Sequence, residues 1–215
     1  MSINYDQLQT YMNGLVPERP LELQKMEAYA EEHNFPIIGP ASGHFCYQIA
    51  RLTGAKRIFE MGSGYGYSTY WFAKAVAENS NGSSDGEVHH VVWDDDLSQM
   101  ARDHLGKLGY GHLVKYHVSE AVGMLRQTDG PFDIIFNDIL KYDYPKSIPI
   151  IAEKLRPGGV LLIDNMLWGG GIWDESKTDE YTEGVRESTR LLTESDSWIS
   201  SLVPVYDGLI MAIKR

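Results

Sequence analysis

Two segments of the chain place oxygen-bearing side chains directly after apolar runs. Asp138 and Lys141 follow the run FDIIFN, and Asp164 and Asn165 follow the run VLLI. Such runs are typical of strands buried on both faces of a parallel sheet, where chemistry occurs beyond the carboxyl ends of the strands. Because consecutive parallel strands are usually neighbours, Asp138, Asp164 and Asn165 should converge. Three oxygen ligands without His or Cys suit Mg²⁺, Mn²⁺ or Ca²⁺ rather than zinc.

Asp and Asn also favour turns at strand ends, so Asp164 and Asn165 alone would be equally consistent with a simple turn. Asp138 and Lys141 follow another predicted strand in the same way, and this coincidence favours a metal-binding site over a simple turn.

A glycine-rich turn, GSGYG, covers residues 62–66 between a predicted strand and a predicted helix. Glycines there allow a ligand to approach the backbone closely, and the helix start offers free N–H groups. The spacing differs from the G-x-G-x-x-G of dinucleotide enzymes. Glu60, just before the glycines, would repel a pyrophosphate but suits a cationic or zwitterionic ligand. S-adenosylmethionine therefore fits better than NAD.

An acidic run, Asp94-Asp95-Asp96, follows the second predicted strand. A carboxylate at this position can accept hydrogen bonds from both hydroxyls of a ribose, and we assign that role to Asp94. The alternative is a solvated loop, which on position alone is the interpretation favoured for Asp95 and, after it, for Asp96.

The elements that must position these residues alternate between strands and helices, which predicts a doubly wound α/β sheet. We expect a Rossmann-like, mostly parallel seven-stranded sheet with an antiparallel C-terminal edge strand and an N-terminal helical cap. The predicted strands are Arg57–Met61, Val88–Trp93, Leu113–Val118, Phe132–Phe136, Val160–Ile163, Leu202–Tyr206 and Leu209–Ile213, the last two flanking the hairpin-turn dipeptide Asp207-Gly208.

Composition limits the classes of function. The chain has 215 residues, 43% hydrophobic and 23% charged, which suits one globular domain. Its formal net charge of −11 argues against a broad nucleic-acid surface. A single cysteine, Cys46, excludes an intrachain disulfide and suits a reducing compartment. No apolar run is long enough to span a bilayer, and the N-terminus has no signal core, so we expect a cytoplasmic protein without a membrane partner.

Three motifs together resemble one known family. Residues 60–68 resemble its cofactor turn E-x-G-x-x-x-G-Y-S, residues 132–144 its signature F-D-x-I-F-x-D-x-x-K-x-x-Y, and residues 164–168 its D-N-x-L-W motif. The family is the divalent-metal-dependent class I O-methyltransferases, which includes catechol and caffeoyl-CoA O-methyltransferases. The resemblance runs from about Leu21 to the C-terminus.

The resemblance implies one class I methyltransferase domain over residues 1–215, with a helical cap or dimerisation region at 1–52, a core at 53–215, and a homodimer. It implies methyl transfer from S-adenosylmethionine to a hydroxyl of a small catechol-like or phenolic acceptor. Asp138, Asp164 and Asn165 would bind the metal, and Lys141, with Asp138, would be catalytic. The implied cofactor residues are Ile38, Glu60, Gly62, Ser63, Gly64, Ser68, Asp94, Asp95, Ser119, Glu120 and Asp138. Leu140, Tyr144, Trp168 and Trp173 are candidates to contact the substrate.

Departures from the family pattern concern the acceptor. Asn137 stands where an apolar residue is usual, and Leu140 where a second acid is common, so these positions should influence substrate choice. The segment Pro20–Pro36 also resembles bacterial members that methylate hydroxyuridine in tRNA, which is the main alternative. Two further alternatives are a nicotinamide-dependent oxidoreductase, in which Asp164 and Asn165 would have no role, and a non-catalytic ligand-binding relative.

Overall fold

A computed structural model describes residues 4–81 and 85–215. Its strands form one sheet, in the order β3-β2-β1-β4-β5-β7-β6. The strands are β1 Arg57–Met61, β2 Glu87–Val92, β3 Val114–Val118, β4 Phe132–Asn137, β5 Leu155–Ile163, β6 Trp198–Val203 and β7 Leu209–Lys214. Strands β1 to β5 pair in parallel, and β7 is antiparallel to both β5 and β6. The predicted Rossmann-like fold class is confirmed, with β6 as the outermost strand of the hairpin.

Helices cover both faces of this sheet. They are α1 Tyr5–Gly14, α2 Leu21–His33, α3 Gly39–Leu52, α4 Tyr67–Asn79, α5 Asp95–Lys107, α6 Ala121–Gln127, α7 Tyr144–Lys154 and α8 Glu180–Thr193. Successive strand residues point to opposite faces, so each central strand contributes to two cores. Ile58 packs in the core beneath α2, α3 and α4, while Phe59 packs in the core beneath α7 and α8.

The C-terminal hairpin differs from the prediction in its turn. Strand β6 ends at Val203, so five residues, 204–208, connect it to β7 instead of the predicted dipeptide. Pro204 has no N–H to donate to a ladder, which ends the pairing early. The remaining residues form a loop at the carboxyl edge of the parallel strands, where Met166 N donates to Gly208 O (2.9 Å).

The strand order reverses between β1 and β4, and ligands of open α/β sheets bind at such a switch point. Asn137 of β4 is in register with Met61 of β1 and with Ile163 of β5. Backbone pairing continues one residue further, because Asp138 N donates to Met61 O (2.9 Å) and Asp164 N donates to Asn137 O (3.2 Å). Asp138 and Asp164 are therefore opposite one another at the ends of neighbouring strands.

The N-terminal helices lie over the same edge. Within α1, which is described from end to end, no side chain is buried. It is held by polar contacts: Gln9 Nε2 donates to Tyr206 O (3.2 Å), and Asn13 Oδ1 accepts from Ala41 N (3.1 Å). The first three residues of the predicted cap, 1–3, lie outside the described residues, and its role in dimerisation stays a prediction. In the described part of the chain, no helix is both long and apolar enough to cross a bilayer.

Candidate active site

A cavity of about 1140 Å³ opens at the carboxyl edge of the sheet. Its walls come from the turn after β1, the ends of β2, β4 and β5, the loop 204–208, and α1. Small-molecule sites usually measure 300–1,000 Å³, so this cavity can hold a cofactor and a second ligand together.

The glycine turn brings two walls of the cavity into contact. Gly62 has a φ of 84°, which is a left-handed conformation. A Cβ atom at this position would lie 2.3 Å from the backbone oxygen of Asp138, so only glycine fits. Ser63 fixes the turn to β2: its N–H donates to Val91 O (2.9 Å), and its Oγ accepts from Val91 N (2.9 Å).

Asp138 and Asp164 bring two carboxylates to the cavity wall. The side chain of Asp138 is 26% exposed, whereas Asp164 is only 2% exposed. Asp164 Oδ1 is buried without a hydrogen-bond partner in the described residues. Burial, reinforced by the nearby Asp138 carboxylate, raises the pKa of Asp164 well above its usual value. A buried, unpaired charge beside a like charge is costly, and a bound cation would remove that cost.

Asn165 completes this oxygen set. Its φ of 58° is left-handed, a conformation that Asn tolerates better than most residues, and the residue lines the cavity. In residues 4–81 and 85–215, no three His, Cys, Asp or Glu side chains converge as a metal site, so a metal here depends on the amide of Asn165 as third ligand. Two carboxylates and an amide oxygen are donors that hard divalent cations prefer.

Lys141 lies within the same wall, with its side chain 11% exposed. Its Nζ donates to Asp138 Oδ1 (2.8 Å) and to the backbone oxygen of Ile139 (3.2 Å). Helix α8 holds this segment in place, because a Cβ atom on Gly184 would lie 2.2 Å from the backbone oxygen of Lys141. The predicted grouping of Lys141 with Asp138, Asp164 and Asn165 is thus present in the structure.

At the opposite end of the cavity, the predicted ribose acid is absent from the wall. Asp94 and Asp95 are exposed, and neither is among the described residues that line the cavity. Asp94 is instead the N-cap of α5, where its side chain accepts from Leu97 N (2.9 Å). Val92, Trp93 and Leu97 line the cavity there. The structure therefore gives Asp94 a role as the N-cap of α5, and its contact with a ribose stays a prediction.

Glu60 also lies outside the cavity wall. It is fully buried, and one carboxylate oxygen accepts from Thr69 Oγ1 while Oε1 has no partner in the described residues. Burial raises the pKa of Glu60 to about 7, although Ser68, Thr69 and Ser63 oppose the shift. The carboxyl group is therefore held by hydroxyls of the glycine turn and of α4, and its contact with the cofactor stays a prediction.

The other predicted cofactor residues do line the cavity; they are Ile38, Gly62, Ser63, Gly64, Ser68, Ser119, Glu120 and Asp138. The Glu120 side chain is engaged as the N-cap of α6, accepting from Val122 N (2.7 Å) and Gly123 N (2.6 Å). Ser119 is fixed to β2 by a backbone bond to Val92 O (3.0 Å).

The predicted substrate residues divide into two groups. Leu140 lines the cavity. Tyr144, Trp168 and Trp173 are not among the described residues that line it. Tyr144 is buried, and its hydroxyl donates to Asp164 O (3.1 Å). The ring of Trp168 stacks on the ring of Tyr181, with centroids 6.0 Å apart. Trp173 is 67% exposed, at the end of the turn formed by Trp168–Trp173.

Asn137, the other departure from the family pattern, is fully buried. Its Nδ2 donates to Ser147 Oγ (2.9 Å), so it anchors α7 to the end of β4, and it is not among the described residues that line the cavity.

Sequence reasoning missed one wall entirely, which we call the N-terminal wall. It consists of the cavity-lining residues of α1 and of the loop 204–208, namely Tyr5, Asp6, Gln9, Thr10, Tyr206 and Asp207. Asp207 Oδ1 accepts from Gly169 N (2.8 Å), which fixes it beside the chain segment that follows Asn165. The Asp207-Gly208 dipeptide was visible as a turn signal, but its distance from Asp164 in the sequence gave no indication that the two acids share a cavity.

Comparison with known proteins identifies several O-methyltransferases as relatives. The model of a family described as O-methyltransferase matches residues 18–215. A catechol O-methyltransferase from Niastella koreensis is 31% identical over 187 residues, covering 83% of this chain and 82% of that protein. The O-methyltransferase TomG from Streptomyces achromogenes, involved in tomaymycin synthesis and solved with S-adenosylmethionine, is 27% identical with a TM-score of 0.86 over 99% of both chains. An O-methyltransferase from Bacillus cereus, 24% identical, shares the fold, with a TM-score of 0.85 over 97% of both chains.

Proposed function

This chain belongs to the O-methyltransferase family, and from that premise we propose that it moves a methyl group from S-adenosylmethionine to a hydroxyl of a catechol-like acceptor in a metal-dependent reaction. One observation carries the metal dependence: Asp164 Oδ1 is buried without a hydrogen-bond partner among the described residues, and the Asp138 carboxylate at the neighbouring strand end is close enough to raise the pKa of Asp164. That arrangement borders the cavity that would hold the cofactor.

Support for the cofactor comes from the solved Streptomyces relative, which contains S-adenosylmethionine, and from the glycine turn of this chain. Gly62, Ser63, Gly64 and Ser68 all line the cavity at this turn. S-adenosylmethionine supplies the electrophilic methyl group. Trp93 and Leu97 would contact its nucleoside half at the β2 end of the cavity, which we define by Val92, Trp93, Leu97 and Ser119.

Asp138, Asp164 and Asn165 would hold the divalent cation at the β5 end of the cavity, which we define by these residues and Asp207. A divalent cation there supplies Lewis-acid chemistry that lowers the pKa of a hydroxyl bound to it. The Tyr144 hydroxyl supports the backbone of Asp164 from below and keeps the strand end in place.

Lys141 would act on the acceptor oxygen, either taking its proton or stabilising the oxyanion. The hydrogen bond from Lys141 Nζ to Asp138 Oδ1 (2.8 Å) holds the amine at the cavity wall, beside the position proposed for the acceptor oxygen. The rest of the rate enhancement would come from alignment, with Leu140 and the N-terminal wall holding the acceptor oxygen in line with the methyl group.

The tRNA alternative receives no support from the cavity. Among the described residues that line it, Lys141 is the single basic side chain, and it is paired with Asp138. Binding of a phosphate backbone depends on several Lys and Arg contacts, so we favour a small-molecule acceptor.

Removal of divalent metal tests the proposal. Purified protein treated with EDTA and desalted should methylate catechol at less than about one hundredth of the rate of the untreated protein, because cation-assisted ionisation contributes several kcal/mol. Added Mg²⁺ or Mn²⁺ should restore the rate. Transfer of radiolabelled methyl groups from S-adenosylmethionine is the measurement, with bulk tRNA as a parallel acceptor.

Two results would contradict the proposal. A rate that survives complete chelation would remove the metal from the reaction. Methylation of tRNA but of no catechol would replace the small-molecule acceptor with the RNA alternative, while keeping the family assignment.

A further inference from the structure

Two tyrosines at the glycine turn are bonded to the helical cap. Tyr65 lies in the turn and Tyr67 begins α4; both residues are buried, and both line the cavity. Their hydroxyls bond to consecutive residues of α2. Tyr65 Oη donates to Met26 O (2.9 Å), and Tyr67 Oη donates to Glu27 Oε1 (2.8 Å). The segment proposed to carry the cofactor is therefore fixed to α2 at two points.

The Glu27 carboxylate is itself held in place for this contact. Arg19, in the segment that connects α1 to α2, donates from Nε to the same Oε1 (2.7 Å). Burial, reinforced by the Glu27 carboxylate, raises the pKa of the Tyr67 hydroxyl, so this group remains a donor. Hydrogen bonds to charged groups contribute more than bonds between neutral groups, so the Tyr67 bond should be the stronger of the two.

Helix α2 is a firm support, in contrast to α1. Its residues Leu23 and Met26 are fully buried in the core, whereas α1 buries no side chain. Near the start of α2, Glu22 Oε1 lies 2.9 Å from His104 Nδ1 of α5, which joins the cap to a second helix of the sheet. A hydrogen bond to α2 can therefore hold a neighbouring segment in a fixed position.

The segment that follows α2 adds a third contact with the turn. The ring of Phe35 packs against the ring of Tyr65, with centroids 4.8 Å apart. A Cβ atom on Gly64 would lie 3.2 Å from the Phe35 ring, and Phe35 also lines the cavity. The turn thus has the cap on one side and the ligand space on the other, so a shift of either tyrosine would move residues that face the cofactor.

A second tyrosine–glutamate pair on α4 provides a comparison. Tyr47 Oη of α3 donates to Glu78 Oε2 (2.6 Å) near the end of α4. Neither residue is among the described residues that line the cavity. Both pairs dock a helix onto α4, but Tyr67 lies beside the glycine turn and Glu78 lies near the other end of the helix. Cofactor binding can therefore separate positioning of the turn from helix docking.

We infer that Tyr65 and Tyr67 are positioning residues for S-adenosylmethionine, and that α2 sets the affinity for this cofactor through their hydroxyls. The inference rests on the proposed function, because it concerns the cofactor of the same site. The two bonds act through the backbone of residues 62–68, which they hold in the conformation that lines the cavity. A turn that is already ordered loses less conformational freedom when the ligand binds, so the affinity is higher.

Removal of single hydroxyl groups tests the inference. Tyr67→Phe should raise the Kd for S-adenosylmethionine about tenfold and Tyr65→Phe about threefold, as expected for loss of a charged and of a neutral hydrogen bond. Isothermal titration calorimetry measures Kd, and in assays with catechol the effect on KM for the cofactor should exceed the effect on kcat. Tyr47→Phe is the matched control: thermal unfolding should show a similar loss of stability, with the Kd of the wild type.

Variants of Glu27 test the connection to α2. Glu27→Ala removes the acceptor and should weaken cofactor binding as Tyr67→Phe does, and the double variant should bind no more weakly than either single variant. Glu27→Gln keeps an oxygen for the Tyr67 hydroxyl and should recover most of the lost affinity. Without cofactor, the amides of residues 62–68 should exchange hydrogen faster in Tyr67→Phe than in Tyr47→Phe.

Unchanged Kd values in both Tyr65→Phe and Tyr67→Phe, or an equal rise in Tyr47→Phe, would overturn the inference. Equal Kd values for Glu27→Gln and Glu27→Ala would also overturn it, and this pair decides if a tyrosine variant does not fold. A wild type that binds S-adenosylmethionine but methylates no catechol would refute the proposed acceptor, while the Kd comparison still decides the role of α2. A wild type that binds no S-adenosylmethionine would refute both.

Discussion

The two ends of the cavity use carboxylates in opposite ways. At the β2 end, Asp94 and Glu120 accept backbone N–H groups at the starts of α5 and α6. At the β5 end, Asp164 keeps an oxygen without a partner in the described residues, and Asp138 is bonded to Lys141. Both ends follow apolar strands, so the strands alone do not account for the difference.

What differs is the chain that comes next. Helix α5 begins at Asp95, directly after Asp94, and its free N–H groups capture the nearest carboxylate. After Asp164 the backbone turns through the left-handed conformation of Asn165, so no helix start is close enough to compete. A carboxylate at a strand end is therefore available to a ligand when a turn follows it, and is occupied when a helix follows at once.

The largest expected effect concerns the unpartnered acid. Asp164→Asn should reduce metal-dependent methyl transfer by about a thousandfold or more, because it removes a charged ligand from the proposed cation site. The measurement is the methylation rate of catechol at saturating Mg²⁺, with Asp103→Asn as the control for loss of a carboxylate elsewhere. Retention of more than a tenth of the wild-type rate would show that Asp164 is not a required cation ligand. The carboxylates at the two ends would then not differ in their availability to a ligand.

Glu60 provides a third case, a carboxyl group buried between the two ends. The folded protein keeps its proton up to about pH 7, whereas the unfolded chain releases it near 4.5, so stability should fall by about 3 kcal/mol as pH rises through this window. Glu60→Gln cannot ionise and should lose this part of the pH dependence. Urea denaturation of both proteins between pH 4.5 and 8 measures the difference, and parallel curves would refute the assignment.

At the β2 end, the ring of Trp93 should contribute more to cofactor binding than any carboxylate. Trp93→Ala should raise the Kd for S-adenosylmethionine about tenfold, the effect of losing one aromatic contact with a base. Trp173→Ala is a matched control, because both side chains are 67% exposed and only Trp93 lines the cavity. Equal Kd values for the two variants would mean that the nucleoside lies elsewhere.

The smallest effect is expected for Asp94→Ala. Loss of the N-cap should destabilise the fold by about 1 kcal/mol, while the Kd for S-adenosylmethionine changes less than about twofold. Asp94→Asn, which can still cap α5, should recover the lost stability. A tenfold rise in Kd for Asp94→Ala would instead restore the ribose role that the sequence suggested.

The sequence was sufficient for the features that depend on neighbouring residues. Apolar runs followed by Asp138 and by Asp164 located both strand ends, and the glycine spacing located the turn at Gly62. These predictions hold because register and burial in a parallel sheet follow from the local pattern.

Other features depended on which of two roles a side chain takes, or on contacts between residues that are distant in the sequence. An acid after a strand serves equally well as a ribose ligand or as an N-cap, so the sequence could not decide for Asp94. Glu60 precedes the glycines, but its place in the β1 alternation directs it towards Thr69 and away from the cavity. The N-terminal wall joins Gln9 to Tyr206 across 197 positions of the chain, a contact that no local pattern records.

The weak anchoring of α1 has a consequence for how such an enzyme can change over generations. Because no side chain of α1 is buried, substitutions at its cavity-lining positions cost little folding free energy, typically within about 0.5 kcal/mol. Mutations at Asp6 or Thr10 can therefore change the shape and charge of this cavity wall while the sheet and the strand-end acids stay intact. This side of the cavity can therefore vary in sequence without first requiring a more stable protein.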